Sequence, residues 1–198
     1  MPVSKIDASH VVSVVDNPTQ EKAAPINFKD SSTLITHVRI LEGRTSPERG
    51  DIVLNELDKL GLKPQVQSLT FPRVRNIIVD FKGLNKSAPS VIFSAHYDVF
   101  SGSPGANDNA SGVAVLLGLC SELSNNPYSV RVIFFDREEA WLSTPIVNLG
   151  LLGSLIYTFS HSLEAIRFVY NVEFCGQGEN LVVWPIRREK SSQNIFNW

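Results

Sequence analysis

The stretch SAHYDVFSGSPGANDNASG, residues 94–112, decides the fold predicted for this chain. It begins inside a short, wholly apolar run at residues 91–95 and leads into residues 109–123, where hydrophobic side chains cover much of the circumference of a predicted helix. A run that is apolar on both faces is typical of a central strand covered by helices on both sides. The stretch therefore predicts a buried strand, a loop and a buried helix.

The segments that follow repeat this pattern. Further apolar runs at residues 130–135 and 168–174 predict two more central strands, and a helix is expected between them at residues 153–159. The alternation of strand, helix, strand, helix and strand predicts an α/β domain of three layers with a largely parallel central sheet.

The segment before this pattern contains one helix signal and two strand signals. Ser46 can cap a helix in which Pro47 takes the first position, and Gly61 is a stop signal. Strands are predicted at residues 65–71 and 76–81.

Length and charge limit the classes of protein to which the chain can belong. The 198 residues suit a single domain, for which we predict residues 31–198, preceded by an N-terminal extension at residues 1–30. With 18 basic and 20 acidic residues, a net charge of −2 and no long basic run, the chain is not predicted to bind nucleic acid.

Signals for export and for a disulfide framework are missing from the sequence. The first residues lack the apolar core of a signal peptide, and no uncharged apolar stretch is long enough to cross a bilayer. Cys120 and Cys175 lie in apolar stretches and are predicted to be buried free thiols, which fits a reducing compartment. We therefore predict a cytoplasmic protein with no membrane partner.

A histidine and two aspartates follow the first predicted strand. His96 ends the apolar run, and Asp98 could orient its imidazole. Asp108 lies in a glycine-bounded loop before the buried helix, whose N-terminus favours a carboxylate. Taken singly, the first pair could be a surface turn, and Asp108 could be a helix cap.

Three glutamates complete the pattern. Glu138 and Glu139 follow the strand at 130–135, and adjacent carboxylates can divide the work of metal ligand and general base. Glu173 lies within the run at 168–174, where a carboxylate needs a cation or a paired base. An acidic surface turn and a solvent-facing strand end are the alternatives. Together, acidic residues at the ends of successive strands favour a shared site.

The candidate ligands are carboxylates and one imidazole, with no thiolate. This set suits zinc, and also manganese or cobalt. With a bridging carboxylate, two ions could lie about 3.5–4 Å apart. The sequence therefore predicts a metal-dependent hydrolase.

Three motifs resemble the co-catalytic zinc exopeptidases of metallopeptidase clan MH, which include bacterial leucine aminopeptidase, glutamate carboxypeptidase and glutaminyl cyclase. They are the stretch at 94–112, FFDREE at residues 134–139 and GLLGS at residues 150–154. The resemblance implies an α/β/α sandwich with a mixed, largely parallel central sheet. It also implies zinc as the metal, with two ions in the complete protein.

The resemblance assigns the residues around the first motif to the metal. His96 resembles the histidine ligand of one zinc, and Asp98 resembles the residue behind that ligand. Asp108 resembles the carboxylate that bridges the two ions, and its peptide bond to Asn109 resembles a cis bond of the family.

The glutamates are assigned in the same way. Glu138 resembles the general base, and Glu139 resembles the carboxylate ligand of the other zinc. Glu173 falls where the family usually has an aspartate ligand, so this chain has one more methylene of reach at that position.

Two further departures from the family pattern concern a loop and a histidine. Residues 140–149 form a longer stretch than in compact aminopeptidases and resemble the cyclase branch. The family's last histidine ligand follows the strand of Glu173, and this chain has no histidine after that residue. A site of His96, Asp108 and Glu173 is therefore expected to form. The site of Asp108 and Glu139 lacks its histidine, and the chain is expected to be truncated at its C-terminus.

The predicted function is that of a metal-dependent exopeptidase, an aminopeptidase acting on a peptide or aminoacyl substrate with zinc-activated water and Glu138 as general base. One alternative is cyclase-like aminoacyl transfer with a single zinc. EEAW at residues 138–141 favours it, whereas GANDNASG at residues 105–112 favours the peptidase. The other alternative is a non-catalytic interaction domain on the same fold. The missing histidine favours this alternative, and the retained Glu138 and Glu139 oppose it.

Overall fold

The computed structural model describes residues 31–85, 90–123, 126–139, 150–164 and 166–178. The predicted extension at 1–30 and the stretch at 140–149 lie outside these residues. The described elements, in chain order, are α1 (Ser31–Leu41), α2 (Ser46–Lys59), β1 (Gln65–Leu69), β2 (Val74–Phe81), β3 (Ser90–His96), a π-helical turn (Ala106–Ala110), α3 (Ser111–Glu122), β4 (Val130–Phe135), α4 (Leu152–Ser160) and β5 (Ile166–Asn171).

The five strands form one mixed sheet in the order β1-β2-β4-β3-β5. Strand β3 is parallel to both β4 and β5, whereas β2 is antiparallel to both β1 and β4. The predicted mixed α/β sheet is confirmed, and its parallel part consists of β4, β3 and β5.

Helices cover both faces of this sheet. Ile77 and Val79 of β2 belong to the core shared with α1, α2 and α3, which includes Leu116. Ile78, between them, points to the opposite face and packs in a second cluster with Tyr157 of α4. Because alternate residues of a strand point to opposite faces, one strand serves both cores, and the predicted three layers are confirmed.

The N-terminus of α2 is capped by a different residue from the one predicted. Thr45, not Ser46, precedes the helix, and its backbone N–H and hydroxyl both donate to the carboxylate of Glu48 at 2.8 Å. These two bonds lower the pKa of Glu48. The Ser46 hydroxyl instead accepts a hydrogen bond from the backbone of Val99 at 3.2 Å. The predicted stop at Gly61 is confirmed by its φ of +72°.

Helix α3 is buried nearly all round, as predicted from its sequence. Val113, Leu116 and Leu117 are at most 1% exposed, and Cys120 is 4% exposed. The helix begins at Ser111 rather than at residue 109, because the π-helical turn occupies residues 106–110.

The third apolar run does not form the buried central strand that was predicted. Strand β5 ends at Asn171, and Phe168, Val169 and Tyr170 are each about half exposed. Within the described residues β5 lies at an edge of the sheet and pairs only with β3. Glu173 therefore lies two residues beyond the strand rather than within it.

Both cysteines are free, but only one is buried. Cys120 lies in the core, as predicted, whereas Cys175 follows the exposed strand β5 and is itself exposed. The prediction that Cys175 is buried was wrong for the same reason as the prediction for β5. Among the helices described by the structure, none has the length and apolar character needed to cross a membrane.

The burial of α3 predicts a large stability loss when its core side chains are shortened. Leu116→Ala should lower the free energy of unfolding by about 2–5 kcal/mol, because Leu116 is 0% exposed and its removal leaves a cavity. Leu155→Ala on α4 is the matched control, since Leu155 is 45% exposed, and should cost no more than about 1 kcal/mol. Denaturant unfolding measures both, and equal losses would contradict the assignment of α3 to the core.

Candidate metal centre

The parallel strands bring the predicted site residues to one edge of the sheet. His96 is the last residue of β3, Glu138 and Glu139 follow β4, and Glu173 follows β5. Because parallel strands end at the same edge, these side chains meet there. Asp108 joins them from the π-helical turn before α3.

His96 is at the centre of this cluster. Its Nε2 lies 3.0 Å from Oδ1 of Asp108 and 3.4 Å from Oε2 of Glu173. One ligand atom each from His96, Asp108 and Glu139 lie within 4.8 Å of one another, close enough to hold a single metal ion. The structure thus brings together all four residues that the sequence suggested as ligands.

The charges of the cluster favour a cation. Burial opposes the charged form of His96, but hydrogen bonds and charges from Asp98 and Glu173 raise its pKa to about 11. Burial and the neighbouring carboxylate of Asp108 raise the pKa of Glu139, with smaller contributions from Asp98 and Glu173 against the opposing charge of His96. Carboxylates this close repel one another, and a divalent cation relieves that repulsion. The imidazole and carboxylate donors fit zinc.

Asp98 connects the ends of two strands beneath the cluster. Its Oδ1 lies 3.3 Å from Nδ1 of His96 and accepts the backbone N–H of Glu138 at 3.1 Å. Its Oδ2 accepts the backbone N–H of Glu139 at 3.0 Å. The residue is only 2% exposed. One carboxylate therefore orients the imidazole and also fixes the backbone that carries both glutamates.

Glu138 is held by the start of α4. The backbone N–H of Ser154 donates to Oε1 of Glu138 at 2.9 Å. This bond favours the carboxylate, but burial is the larger effect and raises the pKa of Glu138. A carboxylate with a raised pKa accepts a proton more readily, as a general base must.

A glycine makes this contact possible. A Cβ at Gly153 would collide with the backbone of Asp136 and with the side-chain amide of Asn76, so α4 could not approach as closely with any larger residue. Two backbone bonds reinforce the approach: Leu151 N–H donates to Glu138 O at 3.1 Å, and Leu152 N–H donates to Arg137 O at 2.9 Å. Sequence reasoning identified the Gly-Ser motif as a helix start and missed its bond to the base.

Two other predictions concern the backbone and the missing ligand. The bond between Asp108 and Asn109 is cis, as the family resemblance implied. Within the described residues the cluster contains one imidazole, because the other two described histidines are engaged elsewhere. His37 pairs with Glu56 between α1 and α2, and His161 stacks on Tyr157 of α4.

An α/β/α sandwich that carries a histidine–carboxylate cluster and a buried glutamate at its strand ends has the architecture of a metallopeptidase. The chain belongs to peptidase family M28, whose model matches residues 76–198, more than half of its length.

Individual relatives agree with this assignment. The chain is 28% identical over 137 residues to a vacuolar membrane protease of Candida glabrata, covering 69% of this chain and 14% of that protein. It is 36% identical over 98 residues to the "Probable lipoprotein aminopeptidase LpqL" of Mycobacterium tuberculosis, covering 48% of this chain and 18% of that protein. The chain thus spans less than a fifth of the length of either relative.

A solved structure confirms the fold. A glutaminyl cyclase from an Acidobacteriales bacterium superposes with a TM-score of 0.61 at 19% identity, over 82% of this chain and 64% of that one. At this identity the likeness concerns the fold alone.

The contacts of Asp98 predict that it controls metal affinity. Asp98→Asn replaces one acceptor oxygen with a donor, so at least one of its three hydrogen bonds must be lost. We expect zinc affinity, measured by calorimetric titration, to fall by about 10–100-fold. Asp80→Asn is the matched control, because Asp80 is half exposed, pairs with Arg131 and lies outside the cluster. An unchanged zinc affinity in Asp98→Asn would contradict this role.

Proposed function

We propose that this chain carries the catalytic centre of a zinc-dependent exopeptidase, and specifically of an aminopeptidase. The observation that supports the proposal best is the grouping of His96, Asp108, Glu139 and Glu173 at the strand ends, with the buried Glu138 next to Glu139. Peptidase family membership and the aminopeptidase named among the relatives point the same way.

The proposed division of the cluster gives each carboxylate one task. His96, Asp108 and Glu173 would hold one zinc, and Asp108 and Glu139 would contribute to a second ion that also needs a ligand from elsewhere. Manganese or cobalt could occupy the same donors. Bound zinc would polarise a peptide carbonyl and lower the pKa of a water molecule.

Glu138 would serve as the general base. Its carboxylate accepts the proton that leaves the attacking water and then passes it to the nitrogen of the departing amine, so the base is regenerated in each cycle. The N–H of Ser154 bonds to Oε1, one of the two oxygens of this carboxylate. Burial favours the transfer because it raises the pKa of the carboxyl group.

The role of Glu138 predicts a selective loss of turnover. Glu138→Gln keeps the size and an acceptor oxygen for Ser154 but removes the base, so kcat for an amino-acid p-nitroanilide should fall by about 10²–10⁴-fold. Zinc content, measured by elemental analysis, should stay the same because Glu138 is not a proposed ligand. Glu164→Gln, at an exposed position outside the cluster, is the matched control.

Two outcomes would contradict the proposal. Undiminished activity in Glu138→Gln would remove the assigned base. A peptide with N-terminal glutamine separates hydrolysis from cyclisation, since an aminopeptidase releases free glutamine. Formation of a pyroglutamyl peptide without release of glutamine would replace the peptidase assignment with cyclase-like chemistry.

Metal removal should affect both activity and stability. Dialysis against 1,10-phenanthroline should abolish hydrolysis, and added zinc should restore it. The melting temperature should rise again with zinc, because an ion that binds only the folded chain stabilises it. Full activity in chelated protein that elemental analysis shows to be free of metal would contradict a metal-dependent mechanism.

A further inference from the structure

The segment that carries Glu173 is held by contacts other than a strand ladder. The pairing of β5 with β3 ends at Asn171, opposite Ser94, and one more backbone bond joins Val172 N–H to Ser94 O at 2.8 Å. Glu173 follows this last bond. Asn171 Nδ2, at the end of β5, donates to Oε1 of Glu173 at 2.9 Å and orients the carboxylate. The backbone of Glu173 is held by the contacts of residues 172–176.

Three polar side chains from the stretch at 107–111 hold that segment. Asn109 donates from Nδ2 to the carbonyl of Val172 at 2.9 Å. On the other side of Glu173, the N–H of Cys175 donates to Oγ of Ser111 at 3.0 Å, and the N–H of Gly176 donates to Oδ1 of Asn107 at 2.8 Å. We call Asn107, Asn109 and Ser111 the clamp.

Two of the three clamp side chains are buried and held by further hydrogen bonds. Asn109 is 0% exposed, and its Oδ1 accepts the N–H of Gly112 at 3.0 Å, so its amide is bonded at both ends. Ser111 is 3% exposed, and its hydroxyl donates to the carbonyl of Asn107 at 2.7 Å while it accepts from Cys175. Buried side chains that are hydrogen-bonded on two sides have little freedom to move.

Two glycines allow the segments to approach each other. A Cβ at Gly112 would collide with the carbonyl of Val172 and with the Asn109 amide, and a Cβ at Gly176 would come within 3.1 Å of Asn107 and Ser111. A glycine in each of the two segments therefore permits their close contact.

Two of the clamp residues flank a proposed metal ligand in the sequence. Asp108 lies between Asn107 and Asn109, so the backbone that presents Asp108 also holds the segment of Glu173. Both carboxylates approach the same atom, Nε2 of His96, at 3.0 and 3.4 Å. We propose that Asn107, Asn109 and Ser111 are positioning residues that fix Glu173 relative to Asp108 and so prearrange the ligand set. The inference rests on the proposed function in that it takes Asp108 and Glu173 to be zinc ligands.

Ser111 offers a test with a matched control on the same helix. Ser111→Ala removes the acceptor for Cys175, and zinc affinity in calorimetric titration should fall by about 10-fold. Ser121→Ala is the control, because the Ser121 hydroxyl likewise donates to a backbone carbonyl, that of Gly118, and Ser121 is exposed. It should leave zinc affinity unchanged. Ser111→Thr keeps the hydroxyl and should retain most of the affinity.

A double-mutant cycle distinguishes positioning from a general loss of structure. If Ser111 acts through Glu173, Ser111→Ala should weaken zinc binding in the wild-type background and have no further effect in Glu173→Ala. Equal effects in both backgrounds, or an unchanged affinity in Ser111→Ala, would overturn the proposal. Hydrogen exchange adds a metal-free readout: the Cys175 amide should be protected in the wild type and lose protection in Ser111→Ala. Free exchange of this amide in the wild-type protein would also overturn it.

The outcomes separate this proposal from the peptidase assignment. A chain that binds zinc with the expected coupling but does not hydrolyse the p-nitroanilide would contradict the proposed function and leave the clamp supported. Hydrolysis with additive zinc effects would contradict the clamp alone. A wild-type chain that takes up no zinc would overturn both.

Discussion

Parallel pairing of β3 with β4 and β5 is the constraint on which the metal centre depends. It places the ends of three strands, and with them His96, Glu139 and Glu173, at one edge of the sheet. The antiparallel neighbour β2 runs the other way, so its C-terminal end lies at the opposite edge. The polarity of the strands, more than the spacing of any single motif, thus determines which acidic residues can meet.

The cluster of carboxylates at that edge needs hydrogen-bonding support for the backbone that carries it. Asp98 provides it, because one buried carboxylate accepts bonds from the His96 ring and from the backbone of Glu138 and Glu139. The bonds join β3 to the chain after β4 just where the ladder between the strands ends. The like charges therefore sit on a backbone that these bonds hold in place, which lowers the cost of ordering the site.

The sequence predicted the interior of this fold better than its periphery. The runs of β3, β4 and α3 are largely apolar, and such segments are stable mainly when they are buried in a core. The same composition led to a wrong prediction for β5, because apolar residues at 168–170 do not show whether their strand lies at the centre or at the edge of the sheet. The α2 cap was missed since Thr45 and Ser46 are both good caps, and only the folded chain brings Val99 to the hydroxyl of Ser46.

At the candidate site, too, some features could be predicted from the sequence and others could not. Ligand types can be recognised because acidic residues at strand ends are costly without a partner. The groups that orient them are harder to find: the N–H of Ser154 and the side chains of Asn109 and Ser111 act on segments far away in sequence. Any Ser or Asn in a loop could make such bonds, so composition alone does not distinguish the few that do.

The bonds from Leu151, Leu152 and Ser154 to Arg137 and Glu138 join two described segments that are separated in the sequence by residues 140–149. The described residues on either side of 140–149 are therefore bonded directly to each other. Loop closure of this kind tolerates large changes of length at small entropic cost. A change in the number of residues between Glu139 and Gly150 therefore leaves the bonds that support Glu138 in place.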